Sequence, residues 1–268
     1  MKRIFHRHRS MLVQLAIGAF LGVLLLHPLT MLVFYFEFNE ELAAPYSNAL
    51  SFMANRLQTS TFQELVPMNA VFAVLGAGLG VVIFFYNRII ETEQRRAQWL
   101  ERELNVNLPG LIATGENERL EFKSTLRWNL REKRADKALE QVIVKSIAGL
   151  MNHRGGSLLI GVSDTGDAVG ISADCETLRH KNADGFERAL MDIVRSALGA
   201  HACALIHCQF PWLDETPICR LVVEQAKIPV FVQDGKVARY MVRTGNSTRE
   251  LDAREVHAHL EQRGVRLA

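Results

Sequence analysis

The chain has 268 residues, of which 49% are hydrophobic and 22% charged, and a formal net charge of +2 at pH 7. Six of its 31 cationic residues and four of its 29 acidic ones precede Glu91, leaving 25 of each from Glu91 onward. That balance excludes a uniformly basic nucleic-acid binder, so any such role must come from a local patch.

Residues 1–10 form a basic tail with Lys2, Arg3, Arg7 and Arg9, and residues 11–36 carry no charge. A second uncharged run covers 67–87. A helix needs about 20 mainly apolar residues to cross a bilayer, and both runs reach that length. The first is too long for a signal-peptide core, and Leu29 to Phe36 stays apolar where a small-residue cleavage site would fall. His27 and Pro28 predict a kink late in it. Between the spans, residues 37–66 hold Glu37, Glu40, Glu41 and Glu64 against Arg56, whereas Arg88, Arg95 and Arg96 follow the second span. The positive-inside rule then predicts a multi-pass inner-membrane protein with both termini cytoplasmic. Gly18 and Gly22, with Gly76, Gly78 and Gly80, have the spacing that lets helices approach closely, and a homodimer is expected.

Residues 88–110 read as a helical stalk and linker ending at Pro109-Gly110. Beyond them, 111–268 alternates in type. A strand is predicted over 119–124, an amphipathic helix over 137–152, and a hairpin from 157–162 and 168–171. A helix over 185–198 precedes strands over 202–210, 218–225, 229–232 and 237–243, and Asp252 caps a last helix reaching about Gln262. That order predicts an α+β fold with a mixed or antiparallel sheet, not a doubly wound parallel one. Cys175, Cys203, Cys208 and Cys219 form no Cys-x-x-Cys pair and are expected reduced. Around His201, Cys203, His207 and Cys208 the alternation fits a buried strand better than a zinc site, and the glycines near 155 are not a Walker loop. Neither zinc nor ATP is expected.

Glu121 and Lys123 sit two apart on a strand and so share one face, with Leu120 and Phe122 on the other. A carboxylate beside an ammonium group, with Asp164 at a second strand end, suits phosphodiester hydrolysis assisted by Mg²⁺ or Mn²⁺. The same residues also read as a solvated cross-strand pair and a turn former. Lys123, Arg127, Arg131, Lys133, Arg134 and Lys137 form a basic run around Trp128, a combination that offers phosphate contacts and a stacking surface. It also reads as an exposed charged loop lying on anionic lipid. Arg243 and Arg249 flank Gly245-Asn246-Ser247-Thr248, where backbone amides and the polar side chains of Asn246 and Ser247 can cradle a phosphate or simply form a loop. His153 is the general base nearest the acids in sequence, or an ordinary helix-end histidine.

Four motifs occur in order: Glu116-x-x-x-x-Glu121-Phe122-Lys123; the helix end Ile147 to Asn152; Gly155-Gly156-x-Leu158-Leu159-Ile160-Gly161-Val162-x-Asp164-x-Gly166-x-x-x-Gly170; and Tyr240 to Arg249. Together they resemble the Schlafen AlbA_2 domain over about 111–268. The resemblance implies an α+β nucleic-acid-binding module. By likeness to Schlafen nucleases, it also implies an RNA-cutting acid set at Glu116, Glu121 and Asp164 with a divalent metal. No helicase-like or winged-helix region follows in this sequence, so neither ATPase activity nor sequence-specific transcription control is expected. The competing expectation is a non-enzymatic membrane sensor or scaffold whose domain binds a protein or nucleotide.

Overall fold

The computed structural model describes residues 2–37, 48–59 and 62–264. Part of the predicted acidic loop, including Glu40 and Glu41, lies outside the described residues. The chain divides into two compact units, 1–97 and 98–268.

In the first unit, α1 (Lys2–Leu21) runs through a π-helical turn (Gly22–Leu26) into α2 (His27–Glu37). Pro28 has no N–H to give the preceding turn, and a widened turn just before it relieves the conflict between its ring and the helical backbone. After α3 (Ala49–Thr59) comes α4, a continuous helix over Phe62–Leu104 that tolerates Pro67 in its first turns. Arg9–Glu37 and Asn69–Leu104 are long and apolar enough to cross a membrane, with mean hydropathies of 2.1 and 2.0. The two helices touch backbone to backbone through glycine. A Cβ placed on Gly18 would lie 2.3 Å from the Gly76 carbonyl oxygen, and one on Gly22 would lie 2.2 Å from that of Phe72. Gly18, Gly22, Gly76 and Gly80 thus close the contact between the two spans, whereas a Cβ on Gly78 would meet nothing within 4 Å.

The second unit continues from the end of α4 through a short helix, α5 (Leu108–Ala113), where a linker was predicted. Leu108 is buried against Leu120 and Phe122, which explains why this stretch folds. Next come β1 (Leu120–Lys123), the two-residue strands β2 (Trp128–Asn129) and β3 (Arg134–Ala135), and α6 (Lys137–Asn152). Asp136 caps α6 by accepting from the Ala138 amide, and the helix matches its predicted bounds. β4 (Gly156–Ile160) follows, then α7 (Ser172–Glu176) and α8 (Ala183–Leu198). The predicted hairpin partner at 168–171 does not form a strand. Only a single bridge joins Val162 to Ala168, and Gly161 and Gly170 instead fold that segment back on itself. The predicted strand at 202–210 is shortened too. Gly199, at φ +89°, starts a turn of helix, α9 (Ala200–Cys203), and extension resumes only at β5 (Ile206–Gln209).

After β6 (Trp212–Leu213) and β7 (Thr216–Pro217), the chain forms β8 (Cys219–Val223), β9 (Phe231–Asp234), β10 (Val237–Thr244), β11 (Ser247–Leu251) and α10 (Ala253–Arg263). One sheet has the order β1-β4-β8-β5, parallel between β1 and β4 and antiparallel elsewhere. A second, antiparallel sheet has the order β11-β10-β9. The mixed α+β expectation holds. The four-stranded sheet is buried on both faces. Leu158, Ile160, Leu221 and Val223 meet α6 and α8 on one side, while Leu120, Phe122 and Leu159 meet Leu108 on the other.

Candidate functional site

The alternation of β1 turns Glu121 and Lys123 away from the Phe122 face, as the sequence predicts, but the face they share is not open to solvent. Glu121 is 6% exposed and lies beneath α6 and β10. Its carboxylate pairs with Lys123 Nζ at 2.5 Å, accepts from Ser146 Oγ at 3.3 Å, and pairs with the Arg243 guanidinium. Arg243 is fully buried. It also donates to the Asn117 carbonyl oxygen (3.1 and 2.9 Å) and to that of Leu120 (3.0 Å), which ties β10 of one sheet to the edge strand β1 of the other. Burial lowers Arg243 below the usual arginine value, against the pull of Glu116.

Glu116 is half-buried, and its Oε1 accepts from the Phe122 amide at 2.7 Å. Asp164 is exposed on the turn after β4. Burial lowers Lys123 below the usual lysine value, while the charges of Glu116 and Asp164 oppose that shift. All three predicted acids thus act on one ammonium group. They do not make a ligand set. Among the described residues, no three His, Cys, Asp or Glu side chains come together to hold a metal ion. Glu121, the central acid of the trio, is neutralised by Arg243 and Lys123, so the donors as arranged do not fit a divalent cation. His153 lies 3.5 Å from Glu118, not from these acids.

The basic run builds a small hairpin from β2 and β3, with Leu130, Arg131, Glu132 and Lys133 at its tip. Lys133 adopts φ +50° and closes the turn through its amide to the Asn129 carbonyl at 2.8 Å. Arg131, Lys133 and Lys137 are exposed. Among the described residues, none of the three has an ion pair. Arg134 pairs with Glu132, and Arg127 is held by Glu140 at 3.1 Å. Trp128 is half-exposed at the base of the hairpin.

The base is fixed by a residue that sequence reading missed. Asp174 on α7 is fully buried, and its carboxylate accepts from the amides of Leu126 (3.0 Å), Arg127 (2.8 Å) and Trp128 (2.7 Å). Nothing in the composition around Asp174 marks it, because its partners lie more than 45 positions earlier in the chain.

Thr244 and Ser247 pair across Gly245-Asn246, with Gly245 at φ +61° as the first central residue of a tight hairpin. The predicted phosphate cradle is therefore a two-residue turn that exposes Asn246, Ser247 and, further along β11, Arg249. Arg243, expected from the sequence to flank an exposed phosphate-binding loop, is instead buried in the Glu121 network and unavailable to a nucleic acid.

The Schlafen, AlbA_2 family model matches residues 116–252. The chain is similar in structure to the DIP2311 protein of Corynebacterium diphtheriae, at 15% identity and a TM-score of 0.43, over 63% of this chain and 29% of that one. It is also similar to the N-terminal domain of a protein of Nitrosomonas europaea described as related to the ATP-dependent DNA helicase RecG. There the identity is 18% and the TM-score 0.35, over 55% of this chain and 92% of that one. No curated protein matches the chain.

Proposed function

The chain belongs to the Schlafen AlbA_2 family, and from that premise we propose that it is a membrane-anchored protein that binds single-stranded nucleic acid through the β2–β3 hairpin. The observation that carries this reading is the hairpin tip. Among the described residues, Arg131 and Lys133 there have no carboxylate partner, and a half-exposed Trp128 stands behind them on a base held by Asp174. Cations at a protrusion meet backbone phosphates at little desolvation cost, and an indole beside them offers a surface on which a base can stack. Lys137, Asn246, Ser247 and Arg249 are further exposed groups able to meet phosphate.

Two apolar helices supply the anchor, with side chains such as Leu12, Phe20, Leu25, Val74 and Val82 turned outward as lipid would require. The positive-inside rule supports this reading, since the basic flanks of the two helices favour cytoplasmic termini, on the side where nucleic acid is found. Hydrolysis is not part of the proposal, since Glu121 is occupied by Arg243 and Lys123.

The test is binding of a labelled single-stranded RNA or DNA to the full chain in detergent, across a salt series. Losing two phosphate contacts in an Arg131→Ala, Lys133→Ala double variant should flatten the slope of log K against log salt by roughly 1.4. Trp128→Ala should cost about 1–3 kcal/mol. Unchanged affinity in these variants, or no binding at low salt, refutes the assignment and favours a scaffold role. Cleavage that depends on Mg²⁺ or Mn²⁺ and is lost in Glu121→Gln would refute the exclusion of hydrolysis.

A further inference from the structure

Within the first unit, one histidine is buried among apolar helices with half of its polar capacity unused. His27 is 4% exposed and stacks on Phe72 at 5.1 Å. Its Nδ1 lies 2.8 Å from Asn69 Oδ1, and its Nε2 has no hydrogen-bond partner. An amide oxygen can only accept, so Asn69 fixes the proton on Nδ1 and leaves the Nε2 lone pair free. That imidazole lines a cavity of about 300 Å³ together with Val23, Leu24, Pro28, Met31, Met53 and Asn69. Apart from His27 and Asn69, whose carbonyl is already engaged, the side-chain atoms able to coordinate there are the two thioether sulfurs.

We propose that this cavity is a site for a soft monovalent cation, Cu(I) or Ag(I), held by His27 Nε2, Met31 Sδ and Met53 Sδ. The donor set decides the class of ion. One imidazole nitrogen with two thioethers is soft, neutral and free of carboxylates, which disfavours Mg²⁺, Ca²⁺ and Mn²⁺ and favours Cu(I). A neutral set also suits a single charge better than a double one, because no ligand offsets the cost of desolvating the ion. Methionine has three freely rotating side-chain bonds, so Met31 from α2 and Met53 from α3 can close on an ion smaller than the cavity. Asn69 acts as the positioning residue, since it sets the tautomer that makes Nε2 a ligand.

Silver is the probe, because it is redox-inert in air. The full chain in detergent is titrated with Ag(I) past the four equivalents that its cysteines can take, then exposed briefly to hydrogen peroxide. Sulfoxide formation is read at each methionine by peptide mass spectrometry. Coordination should slow oxidation of Met31 and Met53 by roughly tenfold or more while leaving Met241 unaffected, and His27→Gln should abolish that protection. If His27→Gln fails to fold, Met31→Leu, which conserves volume, should remove the protection of Met53. Oxidation of Met31 and Met53 that silver does not slow, or protection that survives in both variants, overturns the proposal.

Discussion

Arg243→Met is the most informative single perturbation, because it removes the guanidinium and keeps an apolar stem of comparable reach. In the native chain the group neutralises the buried Glu121 and supplies donors to the carbonyls of Asn117 and Leu120. Removing one partner of a buried ion pair costs about 3–5 kcal/mol, and each carbonyl left dry adds about 1–3 kcal/mol. Lys123 and Ser146 still face the Glu121 carboxylate and recover part of that loss. A net cost of about 4 kcal/mol follows, or a fall in Tm of roughly 8–16 °C at about 2–4 °C per kcal/mol for a unit of this size.

The assay is urea unfolding of the detergent-solubilised chain, followed by tryptophan fluorescence, with Glu121→Gln and the double variant completing a cycle. Neutralising Glu121 in the Arg243→Met background should restore about 1–2 kcal/mol, because the uncompensated charge is then gone. A loss below about 1 kcal/mol, or a double variant no better than the single, would refute the idea that Arg243 is a structural bolt. It would return Arg243 to the surface role that the sequence suggested.

Asp174→Asn should weaken nucleic-acid binding without touching any group at the surface, because the three amides at the hairpin base lose a charged acceptor. The expected result is a fewfold rise in Kd with an unchanged salt slope, and a flattened slope would show instead that contacts at the tip had been lost. Stability should also fall in mild acid. His259 titrates below the usual histidine value, first because it is buried and then because Arg263 and His153 repel its charged form. The unfolded chain therefore binds the proton more readily, so the contribution is complete above about pH 6.5 and is lost as pH falls through the folded value. Unfolding midpoints between pH 7.5 and 5 should show this decline, and His259→Gln should flatten it.

Much of the second unit could be read from periodicity. The helix at 137–152 has a polar cap and one apolar stripe, and those local signals match what packing requires of it. The alternation that separates Glu121 and Lys123 from Leu120 and Phe122 was equally legible. Burial of both faces was not. It depends on α6 and β10 closing over β1, and β10 lies more than a hundred positions further along the chain. Arg243 failed for the same reason. A lone arginine in an alternating strand looks exposed until Met241, in phase with it, proves to be buried as well. Asp174 left no trace because backbone amides have no sequence identity. The hairpin expected at 157–171 failed at its second half, where Gly161 (φ +93°) and Gly170 (φ +82°) bend the chain away from extension.

The exposed turn at Gly245-Asn246 has one consequence for orientation. Asn246-Ser247-Thr248 is an Asn-x-Thr acceptor for oligosaccharide transfer, and it sits at the tip of a hairpin where the transferase would meet no obstruction. Translated with microsomes, the unaltered chain reports its own sidedness. A sugar on Asn246 would mean that the domain had entered the lumen, and a bare asparagine on inserted chains would mean that it had stayed outside.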